Sequence, residues 1–343
     1  MRLCRVFVLL LPVVATVTAA AQSPGYKQIG EIPVGGAATF DYLNVDSAAK
    51  RLYLTHGTEV VAIDTSTNTV VGRIPAGPRV HGIAITPGDK GFITNGGENT
   101  VSIVDLKSLK VTSKVPTGAN PDAIAYDSAK KEIYAWNHTG MSATVIDAAS
   151  GSVVATIPLS GTAESGQVDP QLGRAFVNIE DKDAVDVIDT ATHKKIATWP
   201  VAPASGPTGM AIDLAAHRIF VGGGPNTVMI DANSGKVLAS MAICAGTDAT
   251  WFDPSARLVM SSCGGGAGAI TIGHVDSASA LTVVQTLVTT RGARTMALDA
   301  TTHRIYVAGQ KYAPAGAAAP ATGGRGGPPA IPDSFHVLVF GTN

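Results

Sequence analysis

The sequence predicts an all-β chain, a closed ring of seven four-stranded antiparallel sheets. Three observations carry that expectation. An Asp that ends an apolar strand recurs as Asp64, Asp105, Asp147, Asp189, Asp231 and Asp276, at spacings of 41, 42, 42, 42 and 45 residues. A second short strand recurs seven times, at 53–56, 92–95, 134–137, 176–179, 220–223, 259–262 and 306–309. Finally, the segment 26–35 near the N-terminus reads like the fourth strand that the last unit lacks. Self-similarity at a fixed period marks a repeat architecture, because one such unit cannot bury its apolar face alone.

In chain order, the first element stands outside the fold. Arg2 and Arg5 precede an apolar run over 6–17, and Ala19-Ala20-Ala21 offers small residues before a cut ahead of Gln22. Residues 1–21 therefore read as a secretory signal peptide, the run being too short for a comfortable membrane span. Cys4 lies before that run, the wrong place for lipid attachment after cleavage. Residues 22–343 are then expected as one exported domain, secreted or periplasmic, with no span left after cleavage.

The unit over 81–118 shows the pattern most clearly. Four apolar runs, 83–85, 91–94, 101–104 and 111–115, alternate apolar with small or polar residues, as half-buried strands do. Between them lie Pro87-Gly88-Asp89, Asn95-Gly96-Gly97-Glu98-Asn99 and Asp105-Leu106-Lys107-Ser108, all turn chemistry. The recurring Asp suits the last of these turns. Its carboxylate can accept the backbone N–H groups that follow, which fixes the hairpin register.

The final unit has strands near 295–298, 304–308 and 335–340 and no fourth. Pairing 26–35 with 335–340 closes the ring and hides both sheet edges. An open solenoid would instead need capping units, and none is visible. The result is a seven-bladed β-propeller whose last blade is built from both termini. One insertion, 311–333, is rich in Ala, Pro and Gly, cannot bury a core, and is expected as a flexible loop in blade seven.

Phe92-Ile93-Thr94-Asn95 carries a further likeness, together with Ile74-Pro75-Ala76-Gly77 and Val115-Pro116-Thr117-Gly118, which close strands on a Val/Ile-Pro-x-Gly turn. In these motifs the chain resembles the YVTN-type (YncE-like) β-propeller repeat family, over essentially all of 22–343. The resemblance implies an extracytoplasmic protein. Its relatives include surface-layer components, and one subgroup is reported to bind DNA. Units five to seven lack the terminal Asn of the motif.

Composition narrows the partners. A formal net charge of −1, with 25 Lys and Arg against 26 Asp and Glu, gives no bulk attraction to nucleic acid or anionic lipid. The expected partner is a small molecule, a protein or a cell-envelope component, and the chain is read as a monomer. Export leaves Cys244 and Cys263, 19 positions apart, in an oxidising compartment where a disulfide is expected between them.

The chemistry should lie where the repeats differ. The innermost strand of each unit ends at Asp46, Thr86, Asp127, Asp169, Asp213, Asp253 or Asp299, and five residues earlier stand Asp41, His81, Asp122, Glu164, Thr208, Asp248 and Arg294. Equivalent positions in a closed ring face one axis, so these seven should surround one mouth of the central channel. Four acids, a His, a Thr and an Arg point to a ligand site, with Asp41, His81, Asp122 and Glu164 as holders of a divalent cation and Arg294 as the partner of an anionic group. Solvated polar residues at a channel entrance are the plainer alternative. His193, His217 and His303 fall in turns and are expected at the surface. The second functional reading is a lactonase-like hydrolase in which the same carboxylates and a divalent metal activate water. No Gly-x-Ser-x-Gly, His-Glu-x-x-His or Cys-x-x-Cys occurs, so nucleophile-elbow and zinc-protease signatures are absent.

Overall fold

A computed structural model describes residues 25–36, 39–313 and 329–342. The signal peptide expected over 1–21 lies outside the described residues, as does most of the insertion expected over 311–333. Among the described residues, 28 strands form seven four-stranded antiparallel sheets. Blades 1 to 6 each take four consecutive strands, starting at the inner strands Phe40–Asp46, Val80–Thr86, Pro121–Asp127, Ala163–Asp169, Pro207–Asp213 and Thr247–Asp253. Blade 7 runs Met296–Asp299, Arg304–Gly309, His336–Gly341 and then Lys27–Pro33 from the N-terminal side. That last pair is antiparallel from Lys27 opposite Gly341 to Pro33 opposite His336, the closure the sequence predicts.

The apolar core is divided among the spaces between neighbouring blades. Between blades 2 and 3, for example, Phe92, Val101 and Val115 pack against Ile133, Ala135 and Ile146. Between blades 7 and 1, Ile32 and Tyr306 pack with Leu52, Leu54 and Val61. The recurring aromatic of the second strand is what fills these spaces, and Phe92, Tyr134, Phe176, Phe220 and Tyr306 are fully buried. A buried side chain of that size contributes about 1.5–3 kcal/mol.

The recurring Asp acts as its spacing predicts in five blades. Asp64, Asp105, Asp147, Asp189 and Asp231 each accept a backbone N–H from two or three residues on. Asp276 departs from this. The outer hairpin of blade 6 is longer, with strands Ala269–Ser277 and Ala280–Val288, so Asp276 sits inside a strand and bonds His274 and Thr282 instead.

Blades are also stapled at the face opposite the mouth. The first residue of a second strand reaches the outer turn of the next blade: Lys90 donates to the carbonyl of Ala148, Arg174 to that of Ala232 and Arg304 to that of Thr65. The three histidines expected at the surface are part of the same stapling. His217 bonds Asp169 at 2.7 Å, His303 bonds Asp253 at 2.5 Å and His193 bonds Glu132 at 2.9 Å, each across a blade boundary. Asp169 and Asp253 are fully buried, and a buried carboxylate needs such a partner.

A disulfide joins Cys244, in the connection from blade 5 to blade 6, to Cys263 at the end of the second strand of blade 6. Among the described residues no helix is long and apolar enough to cross a membrane.

Candidate functional site

In blades 1, 2, 4 and 6 the mouth is positioned by a hydroxyl or amide near the end of the second strand, Thr55, Thr94, Asn178 or Ser262. Thr94 Oγ1 accepts from Gly82 N–H at 2.8 Å and donates to the carbonyl of Asp122 at 2.5 Å, so blade 2 holds the mouth residue of blade 3. Asn178 Nδ2 donates to the carbonyl of Gly209, next to Thr208, and Ser262 donates to that of Arg294. The neighbouring Asn of the Phe-Ile-Thr-Asn pattern has a different task. Asn95 and Asn137 are fully buried and donate to hydroxyls of the following strand, Ser102 and Thr144.

Six of the seven predicted mouth residues bear charge or can acquire it, and they fall into three linked groups. His81 Nδ1 lies 2.6 Å from Asp41 Oδ2 and 3.6 Å from Asp122 Oδ1. Asp122 also belongs to a second set with Glu164 and His138, where His138 Nδ1 is 2.9 Å from Glu164 Oε1. Within each set of three, one ligand atom per residue lies within 4.8 Å of the others. Arg294 Nε donates to Asp248 Oδ2 at 2.5 Å, forming the third group. Thr208 stands apart, its hydroxyl given to the carbonyl of Thr247 at 2.7 Å. Arg294 also lies just ahead of its strand, which begins at Met296.

The electrostatics follow from burial. Asp122 is pushed well above the usual carboxylate range by loss of water and by the charge of Asp41, which His81 only partly offsets. Asp248 is pushed up to about 7 by burial and Asp41, against the attraction of Arg294. Burial pulls His81 down, but the hydrogen bond to Asp41 and the charge of Asp122 outweigh it and leave it raised. His138 is raised to about 9, chiefly through its hydrogen bond to Glu164. The imidazoliums and the guanidinium thus serve as counter-charges to acids drawn out of water.

Two further residues belong to this site. His138 follows the Asn that ends the second strand of blade 3, and only the approach of blade 4 brings it to Glu164. Tyr42 stands one position after Asp41, where the other blades have Gly82, Ala123, Ser165, Gly209, Ala249 and Thr295. It lines the channel just inside the mouth. Its phenol is held well above its usual range by burial and by the charges of Glu164, Asp122, Asp41 and Asp248. A lone aromatic in a ring of small residues was the available signal.

His81 Nε2 and Asn120 Oδ1 are both buried without a hydrogen-bond partner. They converge on Gly96, where an added Cβ would lie 2.6 Å from His81 Nε2. Gly96 therefore leaves the room in which the His81 ring stands.

No family model matches the chain. It is 31% identical over 162 residues to seven-bladed beta-propeller protein Rv1057 of Mycobacterium tuberculosis, covering 45% of this chain and 41% of that protein. It is 40% identical over 45 residues to the PE-PGRS family protein PE_PGRS18 of the same organism, covering 13% of this chain and 10% of that one. The matches thus span well under half the length of either relative. Among solved structures, a chain of Kuenenia stuttgartiensis hydrazine synthase superposes with a TM-score of 0.70 at 16% identity, covering 86% of this chain and 96% of that one. A chain of the mitotic checkpoint complex does so with a TM-score of 0.73 at 12% identity, covering 96% and 98%. At such identities the likeness concerns fold alone. Sheet order, ring closure and the likeness to Rv1057 agree that the chain is a seven-bladed β-propeller protein.

Proposed function

We propose that the chain is an exported, secreted or periplasmic propeller of the YVTN type whose mouth holds a divalent cation and presents it to a ligand. Asp122 carries the reading. It is a buried carboxylate shared by two sets of ligand atoms, Asp41–His81–Asp122 and Asp122–His138–Glu164. One imidazole and two carboxylates per set make a mixed nitrogen and oxygen donor group, which suits Zn²⁺ or Mn²⁺ better than Ca²⁺. To bind at about 2.0–2.2 Å the donors must draw together, to separations of about 3.3 Å. The cation would replace the protons on His81, His138 and Asp122, so loading should release protons. Export is supported by the basic, apolar and small-residue order of 1–21 and by the Cys244–Cys263 disulfide, a bond of oxidising compartments. The YVTN assignment is supported by the structural work of Asn95 and Asn137.

The test is a Zn²⁺ titration by calorimetry in two buffers of different ionisation enthalpy. One ion per chain with net proton release is expected, and Asp122→Asn should weaken binding by about 100-fold or more. A wild-type chain that takes up no ion, or a variant that binds as well, would refute the reading.

One observation favours a hydrolytic role as a second reading. Asp248, near 7, has the affinity for protons that a general base needs at neutral pH. A lactone screen before and after chelation decides it, and absence of turnover in the metal-loaded protein ends it.

A further inference from the structure

The acids of the mouth are answered by its own cations, yet the cleft beside it contains a cation that no acid answers. Between blades 1 and 2 an open cleft of about 500 Å³ has Asp41 and His81 along one side and Arg79 and Arg294 among its walls. Its remaining surface includes Phe40, Pro78 and Val80, an apolar lining. Arg294 uses Nε on Asp248 and Nη2 on the carbonyl of Phe40, and its guanidinium lies over the Phe40 ring, 5.1 Å from the centroid. Arg79 is exposed, and among the described residues its guanidinium has no hydrogen-bond or acid partner.

The backbone at Arg79 is a second, independent observation. Its φ is 54°, in the left-handed region. Two residues before the mouth, the same place is taken by Gly206, Gly246 and Gly292 in blades 5, 6 and 7 and by Asn120 in blade 3, all at positive φ. Glycine and asparagine accept that conformation readily, whereas a long side chain carries a steric cost there. The arginine thus stands where four other blades have glycine or asparagine, beside a cleft and with its donors unused.

We infer that this cleft is the ligand pocket of the mouth and that it takes a small organic carboxylate with an apolar body. The carboxylate lies between Arg79 and Arg294, whose planar guanidinium groups match its geometry. The body packs on Phe40, Pro78 and Val80, in a volume usual for small-molecule sites. A second polar group of the ligand reaches the cation at Asp41 and His81, and this contact alone rests on the cation reading above.

Benzoate and its neutral isostere benzamide are the probes, titrated by calorimetry into the wild-type chain and into Arg79→Gln and Arg79→Lys, with and without Zn²⁺. Benzoate should bind about tenfold or more tightly than benzamide, and Arg79→Gln should lose that preference. Arg79→Lys should recover only part of it, and Zn²⁺ affinity read on the same variants should stay within about twofold of wild type. Equal binding of the two probes, no benzoate binding, or an unchanged Arg79→Gln variant overturns the inference. Should Zn²⁺ fail to bind while benzoate still requires Arg79, the cation reading falls and the carboxylate pocket stands. Should Zn²⁺ bind without any benzoate preference, the reverse holds.

Discussion

Asp248 and His138 each carry a pH response of their own, in two separate windows. Asp248 has its folded value raised to about 7, against about 3.9 for an unfolded Asp. A raised group contributes stability that is complete below the unfolded value and is lost as pH climbs through the folded one. For Asp248 that loss runs from about pH 4 to about pH 7, and for His138, raised to about 9, from about 6.5 to about 9. In cation-free protein the stability difference between wild type and Asp248→Asn should therefore change across the first window and be flat in the second. His138→Gln should do the opposite. Urea unfolding at a series of pH values checks both, and a shared window would contradict the assignment. Added cation should act in the other direction, stabilising more as pH rises, because it binds the deprotonated groups. Much of this site was legible in the sequence. Counting five residues back from the end of each inner strand found Asp41, His81, Asp122, Glu164 and Asp248, since that interval depends only on strand length. The pairing of His138 with Glu164 was not legible, because it is set by how adjacent blades approach, which no local spacing encodes.

At the scale of strands, the second strand links the repeat to the site. Its buried Thr94 hydroxyl ties the backbone of Gly82 to that of Asp122, across the boundary between blades 2 and 3. Thr94→Val keeps the shape and leaves those groups unpaired, so it should cost about 1–3 kcal/mol in denaturant unfolding. It should also weaken cation binding, because the Asp122 backbone loses its anchor. A stability loss with unchanged affinity would show that Thr94 serves the fold alone. The period of 41–42 residues predicted which strands pair, and the pairing follows it. The longer hairpin of blade 6 announced itself only as the 45-residue interval before Asp276. An Asp in sequence register can leave the turn when the strands around it lengthen, as its bonds to His274 and Thr282 show.

For the whole molecule, stability depends on closing the ring. Ile32, on the N-terminal strand of blade 7, is fully buried between that blade and blade 1. Ile32→Ala should cost about 2–5 kcal/mol, far more than Ile29→Ala on the exposed side of the same strand. Equal, small losses in guanidinium unfolding would mean that the closing strand contributes little. The ring also explains why these charged side chains meet: seven non-identical strand starts are forced towards one axis, and burial then makes each depend on its neighbours' charges. The most direct test of the cation at that axis is anomalous diffraction from crystals equilibrated with Zn²⁺, recorded at the zinc edge. A peak is expected within about 2.3 Å of an Asp122 carboxylate oxygen, flanked by His81 or His138. A map with no peak at the mouth, or with zinc only on other histidines, would contradict it.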